Sequence, residues 1–198
     1  MKHFFFLFIF SFIAVSGKTQ SNGEQPKKSP AGYYNLTQLL FTSGEIDELS
    51  PAPHLVSAVT TVNGYRINEH VAIGIGVGIA AYKYAVFPVF ADIRYHIFKG
   101  NFTPLIAFKG GYAFADNDKH IFSRNYYYEA TYKNTGGWMC NPEIGFKTAI
   151  NPSCDFVFTL GYYYQGLKSE VTESAQYRVH TTTANLNRVS FTIGFLFK

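Results

Sequence analysis

Apolar and polar residues alternate along NRVSFTIGFLF, residues 187–197. Val189, Phe191, Ile193, Phe195 and Phe197 form one set and Arg188, Ser190, Thr192 and Gly194 the other, with Leu196 out of pattern. A period of two marks a β-strand lying between two media. In a soluble sheet the apolar set faces a protein core; in an outer-membrane barrel it faces lipid and the polar set fills the lumen. The alternation recurs upstream. Val71, Ile73, Ile75, Val77 and Ile79 oppose Ala72, Gly74, Gly76, Gly78 and Ala80. Within 87–98, Val89, Ala91, Ile93, Tyr95 and Ile97 oppose Phe90, Asp92, Arg94 and His96. Within 103–114, Ile106, Phe108, Tyr112 and Phe114 oppose Leu105, Ala107, Lys109, Gly111 and Ala113. Residues 138–150 set Ile144, Phe146 and Ile150 against Asn141, Glu143, Gly145 and Lys147. Residues 154–166 set Phe156, Phe158, Leu160, Tyr162 and Tyr164 against Asp155, Val157, Thr159, Gly161 and Gln165. Two segments of weaker phase, 31–42 and 54–66, bring the count to eight.

The connections sort by length. INEH (67–70), KGN (99–101) and NPS (151–153) are tight turns, whereas the links on the other side, 43–53, 83–86, 115–135 and 167–185, are mostly longer. An even strand number with short turns at one end and longer loops at the other is the layout of a transmembrane barrel. The face opposite the apolar one is Gly, Ala, Ser and Thr with isolated charges, poor as a solvated surface but suited to a tight lumen. The expected fold is therefore all-β: a closed eight-stranded antiparallel up-and-down transmembrane β-barrel over residues 32–198. Closure removes edge strands, so the last strand should pair with the first. Tyr82, Tyr95, Tyr112, Tyr162 and Tyr164, near strand ends, fit interfacial aromatic girdles.

Composition changes this picture little. Aromatic residues make up 18% of the chain, and the net charge of +4 comes from scattered basic residues. No clustered basic face of a nucleic-acid binder is present, so no nucleic acid is expected as a partner. The N-terminus adds the compartment. Met1-Lys2, an apolar run over 4–15 broken by Ser11, and Val15-Ser16-Gly17 read as a secretory signal peptide over residues 1–17. A membrane-spanning helix would need about 20 apolar residues. No Cys follows the run, which argues against a lipoprotein, and the polar residues 18–31 read as a flexible lead-in. The longest later apolar run, VAIGIGVGIAA, is too short and too rich in glycine to cross a membrane as a helix, so membrane residence requires a barrel.

VNGYRIN (62–68), IGIGVGI (73–79), PVFADIRYHIF (88–98), LIAFKGGYAF (105–114), NPEIGFKTAI (141–150) and RVSFTIGFLF (188–197) carry a family resemblance. On them the chain, from Gly32 to Lys198, resembles the small porin-like outer-membrane β-barrel proteins of Gram-negative bacteria, of the type common in Bacteroidetes. The resemblance implies residence in the bacterial outer membrane, among its lipid and lipopolysaccharide. It also implies recognition of the terminal strand by the barrel-assembly machinery, although this chain ends Phe197-Lys198 rather than on the aromatic. It implies no catalytic residue.

The residues themselves point the same way. His3, His54, His70, His96, His120 and His180 are isolated, without metal-ligand spacing. There is no GxSxG and no Cys–His pairing, and GIGVGI lacks the third glycine of GxGxxG. No catalytic, metal or cofactor site is expected. A lipid-modifying enzyme could be built only around His180 with Ser169 or Glu170, and loop histidines are more often simply solvated. Asn35-Leu36-Thr37 and Asn101-Phe102-Thr103 match a glycosylation sequon by chance.

Two sets of residues remain as candidates. Asp92, Arg94, Lys109, Glu143, Lys147 and Arg188 should point into the lumen. An eight-stranded interior is only just wide enough for side chains, and charges there must be paired. One connected network plugging the barrel is expected, with glycines 74, 76, 78, 111, 145, 161 and 194 making room. The second set is the aromatic loop over 116–134, where Arg124, Tyr126, Tyr127, Tyr128 and Tyr132 would meet an extracellular ligand. The alternative for this loop is a hairpin of strands continuing past the membrane. A monomeric structural or surface-interaction protein and a small-solute or ion channel are the two functions left open. Cys140 and Cys154 would lie roughly 30 Å apart on neighbouring strands at ~3.3 Å per residue, beyond disulfide reach.

Overall fold

The computed structural model describes residues 31–44, 55–82, 84–98, 100–115, 117–123, 128–173 and 178–198. The expected signal peptide and nearly all of the lead-in lie outside them. The first five strands, β1 (Gly32–Ser43), β2 (Leu55–Arg66), β3 (Val71–Ala81), β4 (Ala85–His96) and β5 (Phe102–Ala115), pair in sequence order. After β6 (Asn117–Ser123) and β7 (Tyr128–Thr135) come β8 (Gly137–Asn151), β9 (Cys154–Glu173) and β10 (Arg178–Phe197). β5 pairs with β8, β8 with β9 and β9 with β10. β10 returns to β1 in a register from Asn35↔Phe197 to Ser43↔Val189. Every pairing is antiparallel, so β1–β5 and β8–β10 make a closed eight-stranded barrel. No helix occurs among the described residues.

The long links hold more strand than expected. β9 and β10 are each 20 residues long and stay paired out to Glu173↔Arg178, well past the last β1–β10 pair. Val171, Thr172, Val179 and Thr181–183 are β-branched, which favours the extended backbone. β6 and β7 form a hairpin whose second strand docks on the outer part of β9, from Thr135↔Lys168 to Ala130↔Glu173. Tyr128 and Tyr132 fall in β7, so this part of the loop is the hairpin alternative; Arg124, Tyr126 and Tyr127 lie outside the described residues.

Local chemistry closes the short-turn end. Asn68 Oδ1 accepts from the backbone N–H of His70 and Val71, both at 2.8 Å, and Asn151 Oδ1 accepts from Ser153 N–H at 2.9 Å. These Asx bonds substitute for backbone ones in tight turns. Gly100, between β4 and β5, sits at φ +146°, which side-chain-bearing residues rarely adopt.

Burial fixes the phase of the eight barrel strands where it is described: one set of side chains is buried in the lumen and the other is mostly exposed. Leu196, out of pattern in the sequence, is buried in the lumen opposite Leu36. Val62, Leu105 and Val157 are also buried, and so is Asp155, the β9 register partner of Leu196. Tyr82 corrects the girdle assignment. It continues the even-numbered, inward set of β3 and is buried, whereas Tyr95 and Tyr162 are exposed on the outside. Several inward glycines make space, as a Cβ on Gly76 would strike the Phe90 ring and one on Gly74 would meet Val62 Cγ1 at 2.7 Å. Gly111 and Gly145 differ: what a Cβ there would meet first is a carbonyl oxygen of the neighbouring strand, so they permit close strand approach.

The register sets Cys140 opposite Tyr164 and Cys154 opposite Asn151, ten positions apart along β9, and both are free thiols. Gel mobility of the folded protein should be the same with and without reductant. An intramolecular 140–154 cross-link found by mass spectrometry would mean that this register is wrong.

Candidate functional site: the charged lumen

The lumen charges come from strands whose inward positions the alternation fixes. On β4, Asp92 and Arg94 are two positions apart and therefore share the inner face. Both are fully buried, and the guanidinium binds the carboxylate in bidentate fashion, Nε to Oδ1 at 2.7 Å and Nη2 to Oδ2 at 2.9 Å. Nη2 also reaches Gln38 Oε1 of β1, across the barrel, at 3.4 Å.

A second group lies beside it. Lys109 of β5 donates to Glu143 Oε1 of β8 at 2.8 Å. The same oxygen accepts from Asn141 Nδ2 at 2.8 Å and from Thr192 Oγ1 at 3.0 Å, and Ser190 Oγ donates to Asn141 Oδ1 at 2.9 Å. Asp92 and Lys109 are register partners, and Glu143 is close enough to act electrostatically on Arg94. Two acids and two bases thus neutralise each other at mid-lumen. Charge-assisted bonds of this kind are roughly twice as strong as neutral ones, and a desolvated ion pair persists only with such geometry.

Among the described residues, the bonds of Asp92 with Arg94, of Lys109 with Glu143 and of Lys147 with Asp155 form separate groups rather than the one network expected. Lys147 turns toward the short-turn end, where its Nζ lies 3.4 Å from Asp155 Oδ2, and Lys198 Nζ bonds the other carboxylate oxygen. Arg188 stands at the opposite end, near the phenols of Tyr82 and Tyr163. Three separated levels result. The separation follows from position along the strands, since Lys147 and Arg188 lie near opposite barrel ends and their side chains cannot span the lumen to reach each other.

Several lumen residues escaped the sequence reading. Asp155 was on the correct face but was not matched to Lys147, because that pairing needs the β8–β9 register. Gln38 and Tyr34 lie on β1, whose phase is obscured by polar residues on its outer face. Tyr163, buried on β9, donates to Gln165 Oε1 at 3.1 Å, and its inward parity was the available signal. A cavity of about 10 Å³, room for about one water molecule, lies among Leu40, Ala58, Phe90, Met139 and Tyr163. The register places His180 opposite Val171, beside the Glu170↔Thr181 pair, on the projecting part of β9 and β10.

Breaking one partner of a buried pair leaves the other uncompensated. Arg94→Ala should destabilise the barrel by about 3–5 kcal/mol in urea unfolding from lipid vesicles. The double replacement Asp92→Asn with Arg94→Met should recover most of that loss, because it removes both charges and keeps the volume. Unchanged stability of Arg94→Ala would contradict the mid-lumen pairing.

No family profile and no curated protein matches the chain by sequence. Solved structures do. The chain is similar to Neisserial surface protein A at 15% identity and TM-score 0.57, covering 85% of this chain and 98% of that one. It is similar to the outer membrane protein OprG from Pseudomonas aeruginosa at 13% identity and TM-score 0.61, covering 85% and 96%. Outer membrane protein AlkL, solved in lipid bilayers by solid-state NMR, matches at 12% identity and TM-score 0.52, covering 91% and 96%. At these identities the likeness is one of fold: the chain has the architecture of eight-stranded outer-membrane β-barrels.

Proposed function

We propose that the protein is an integral outer-membrane β-barrel of a Gram-negative bacterium, with its lumen closed by its own side chains. Its role is structural or surface-interacting, exercised through the strands that project at the long-loop end. The observation that carries the closed lumen is the neutral mid-lumen set of Asp92, Arg94, Lys109 and Glu143, fixed by bonds of 2.7–2.9 Å where a pore would need water.

The exterior supports residence in a membrane. Ile73, Ile75, Val77, Ile79, Ile93, Ile106, Phe108, Ile144 and Leu160 are exposed, an arrangement costly against water and favourable against acyl chains. Aromatic residues gather at both ends of this band. Tyr33, Tyr65, Tyr95 and Phe102 are exposed at the short-turn end; Phe114, Trp138 and Tyr162 are exposed toward the other. From Phe102 to Phe114 along β5, at ~3.3 Å per residue and a tilt of about 40°, the band measures about 30 Å, close to a bilayer's hydrocarbon core. The fold shared with solved outer-membrane barrels adds support. On this reading the partners are outer-membrane lipid and lipopolysaccharide, and the barrel-assembly machinery engages the C-terminal strand. The barrel acts as a monomer, an extracellular ligand would meet the projecting hairpins, and no catalytic step is assigned.

Two measurements test the proposal. In cell fractionation the protein should be found with the outer membrane and migrate faster on gels before boiling than after; a soluble periplasmic location would overturn it. In planar bilayers the wild type should show no steady conductance. Large, stable single-channel steps would establish the channel function instead.

A further inference from the structure

A polar patch interrupts the apolar outer face on β1 and β2. There Asn35 and Thr37 sit directly opposite Asn63 and Thr61, all on the outward parity. The flanks on either side are apolar: Phe197 and Phe195 of β10 are the register partners of Asn35 and Thr37, and Ile75 and Val77 of β3 are those of Asn63 and Thr61. Leu39 and Val59 lie exposed above, and the tyrosine pair Tyr33 and Tyr65 lies exposed below. Four short polar side chains are therefore set among larger apolar ones. If the tyrosines mark the interface, the two asparagines stand two positions inside it, about 5 Å deeper at ~3.3 Å per residue and a tilt of about 40°.

The hydrogen bonds within this patch are lopsided. Asn63 Oδ1 accepts from Tyr33 Oη and from Asn35 Nδ2, the latter at 2.9 Å. Asn35 Nδ2 also donates to Thr61 Oγ1 at 3.1 Å, and Asn35 Oδ1 accepts from Thr37 Oγ1 at 3.2 Å. Each amide oxygen thus accepts from within the patch, that of Asn63 twice. The amide nitrogen of Asn63 and the hydroxyl proton of Thr61 take no part in these bonds. What the patch offers outward is donors, at a depth where an unmet polar group is costly. The matching occupant is a group with acceptors and no donors.

We propose that Asn63 and Thr61 form a binding site for the acyl-ester carbonyl oxygens of a glycerophospholipid in the leaflet on the short-turn side. The ester carbonyls of such a lipid lie just inside the headgroup level, carry acceptors alone, and continue into acyl chains that would run up over Leu39 and Val59. The site rests on the membrane reading proposed above. It makes β1–β2 a part of the circumference that selects a lipid by its chemistry rather than by apolar contact alone.

The test is native mass spectrometry of the full chain, released from mild detergent after incubation with diacyl phosphatidylethanolamine or with its diether analogue, which keeps the phosphate and lacks the carbonyls. Wild type should retain a single diacyl lipid. Retention should fall at least about fivefold, the loss corresponding to one net hydrogen bond, in the Thr61→Val/Asn63→Leu variant and equally with the diether lipid. Valine and leucine are ordinary lipid-facing residues, so the variant should fold, as read by heat-modifiable migration of the same sample. Undiminished retention by the variant overturns the site. Equal retention of the diether lipid overturns it by transferring recognition to the phosphate, and a wild-type dimer that the variant disperses overturns it in favour of a second copy. A folded barrel without this lipid discrimination defeats this inference alone, whereas a chain that never inserts defeats the membrane reading as well.

Discussion

Hydrogen bonding between β10 and β1 is the contact on which the rest of the molecule depends. An open eight-stranded sheet would present two edges and two ambiguous faces. Once Asn35–Ser43 zips onto Val189–Phe197, the ladder is continuous around the barrel and every residue is either inside or outside. A slip of one residue in that register would exchange the two sets, putting Arg188 and the lumen hydroxyls outside and Phe191 and Phe195 within. The strict alternation in β10 is what makes such a slip prohibitive.

Closure at this strand number also dictates the interior. The interior at this strand number is only just wide enough for side chains, so inward polar groups meet one another. Mid-lumen does this by charge: two acids and two bases within reach of Gln38, Asn141, Ser190 and Thr192. The levels above and below are filled partly by shape, with the Phe90 ring lying where Gly76 has no side chain and Tyr34 where Gly64 has none. Charges and glycines are two sides of one packing solution, because long polar side chains fit only where the opposite wall is bare.

The exterior is not uniform either. Phe102, Phe146, Phe158, Phe191 and Phe41 pack in series across β5, β8, β9, β10 and β1, with ring centroids 5.1–6.1 Å apart. Such contacts stabilise neighbouring strands beyond simple burial. On the other side of the barrel β3 offers only aliphatic residues, and between the two lies the polar patch of β1 and β2. The outer face thus changes character around the barrel.

The sequence by itself determined the eight strands of the barrel and, on most of them, which residues face inward, because side-chain parity along a strand is a local property of the chain. Asp92, Arg94, Lys109, Glu143 and Arg188 could be placed in the lumen on that ground alone, and the tertiary structure keeps them there. It failed where local contrast vanishes. On β1 and β2 the outer face carries Asn35, Thr37, Thr61 and Asn63, so alternation blurs and Tyr34, Gln38 and Val62 went unrecognised as lumen residues. The Thr-rich ends of β9 and β10 looked like loop because threonine is polar, although its branched Cβ is at home in a strand. Only the closed barrel decided the partners: Lys147 with Asp155 rather than with Glu143, and Tyr82 turned toward Tyr163 and Arg188 rather than outward. Parity needs two neighbouring residues, whereas partnership needs the register of every strand around the barrel, and that exists only after β10 has met β1.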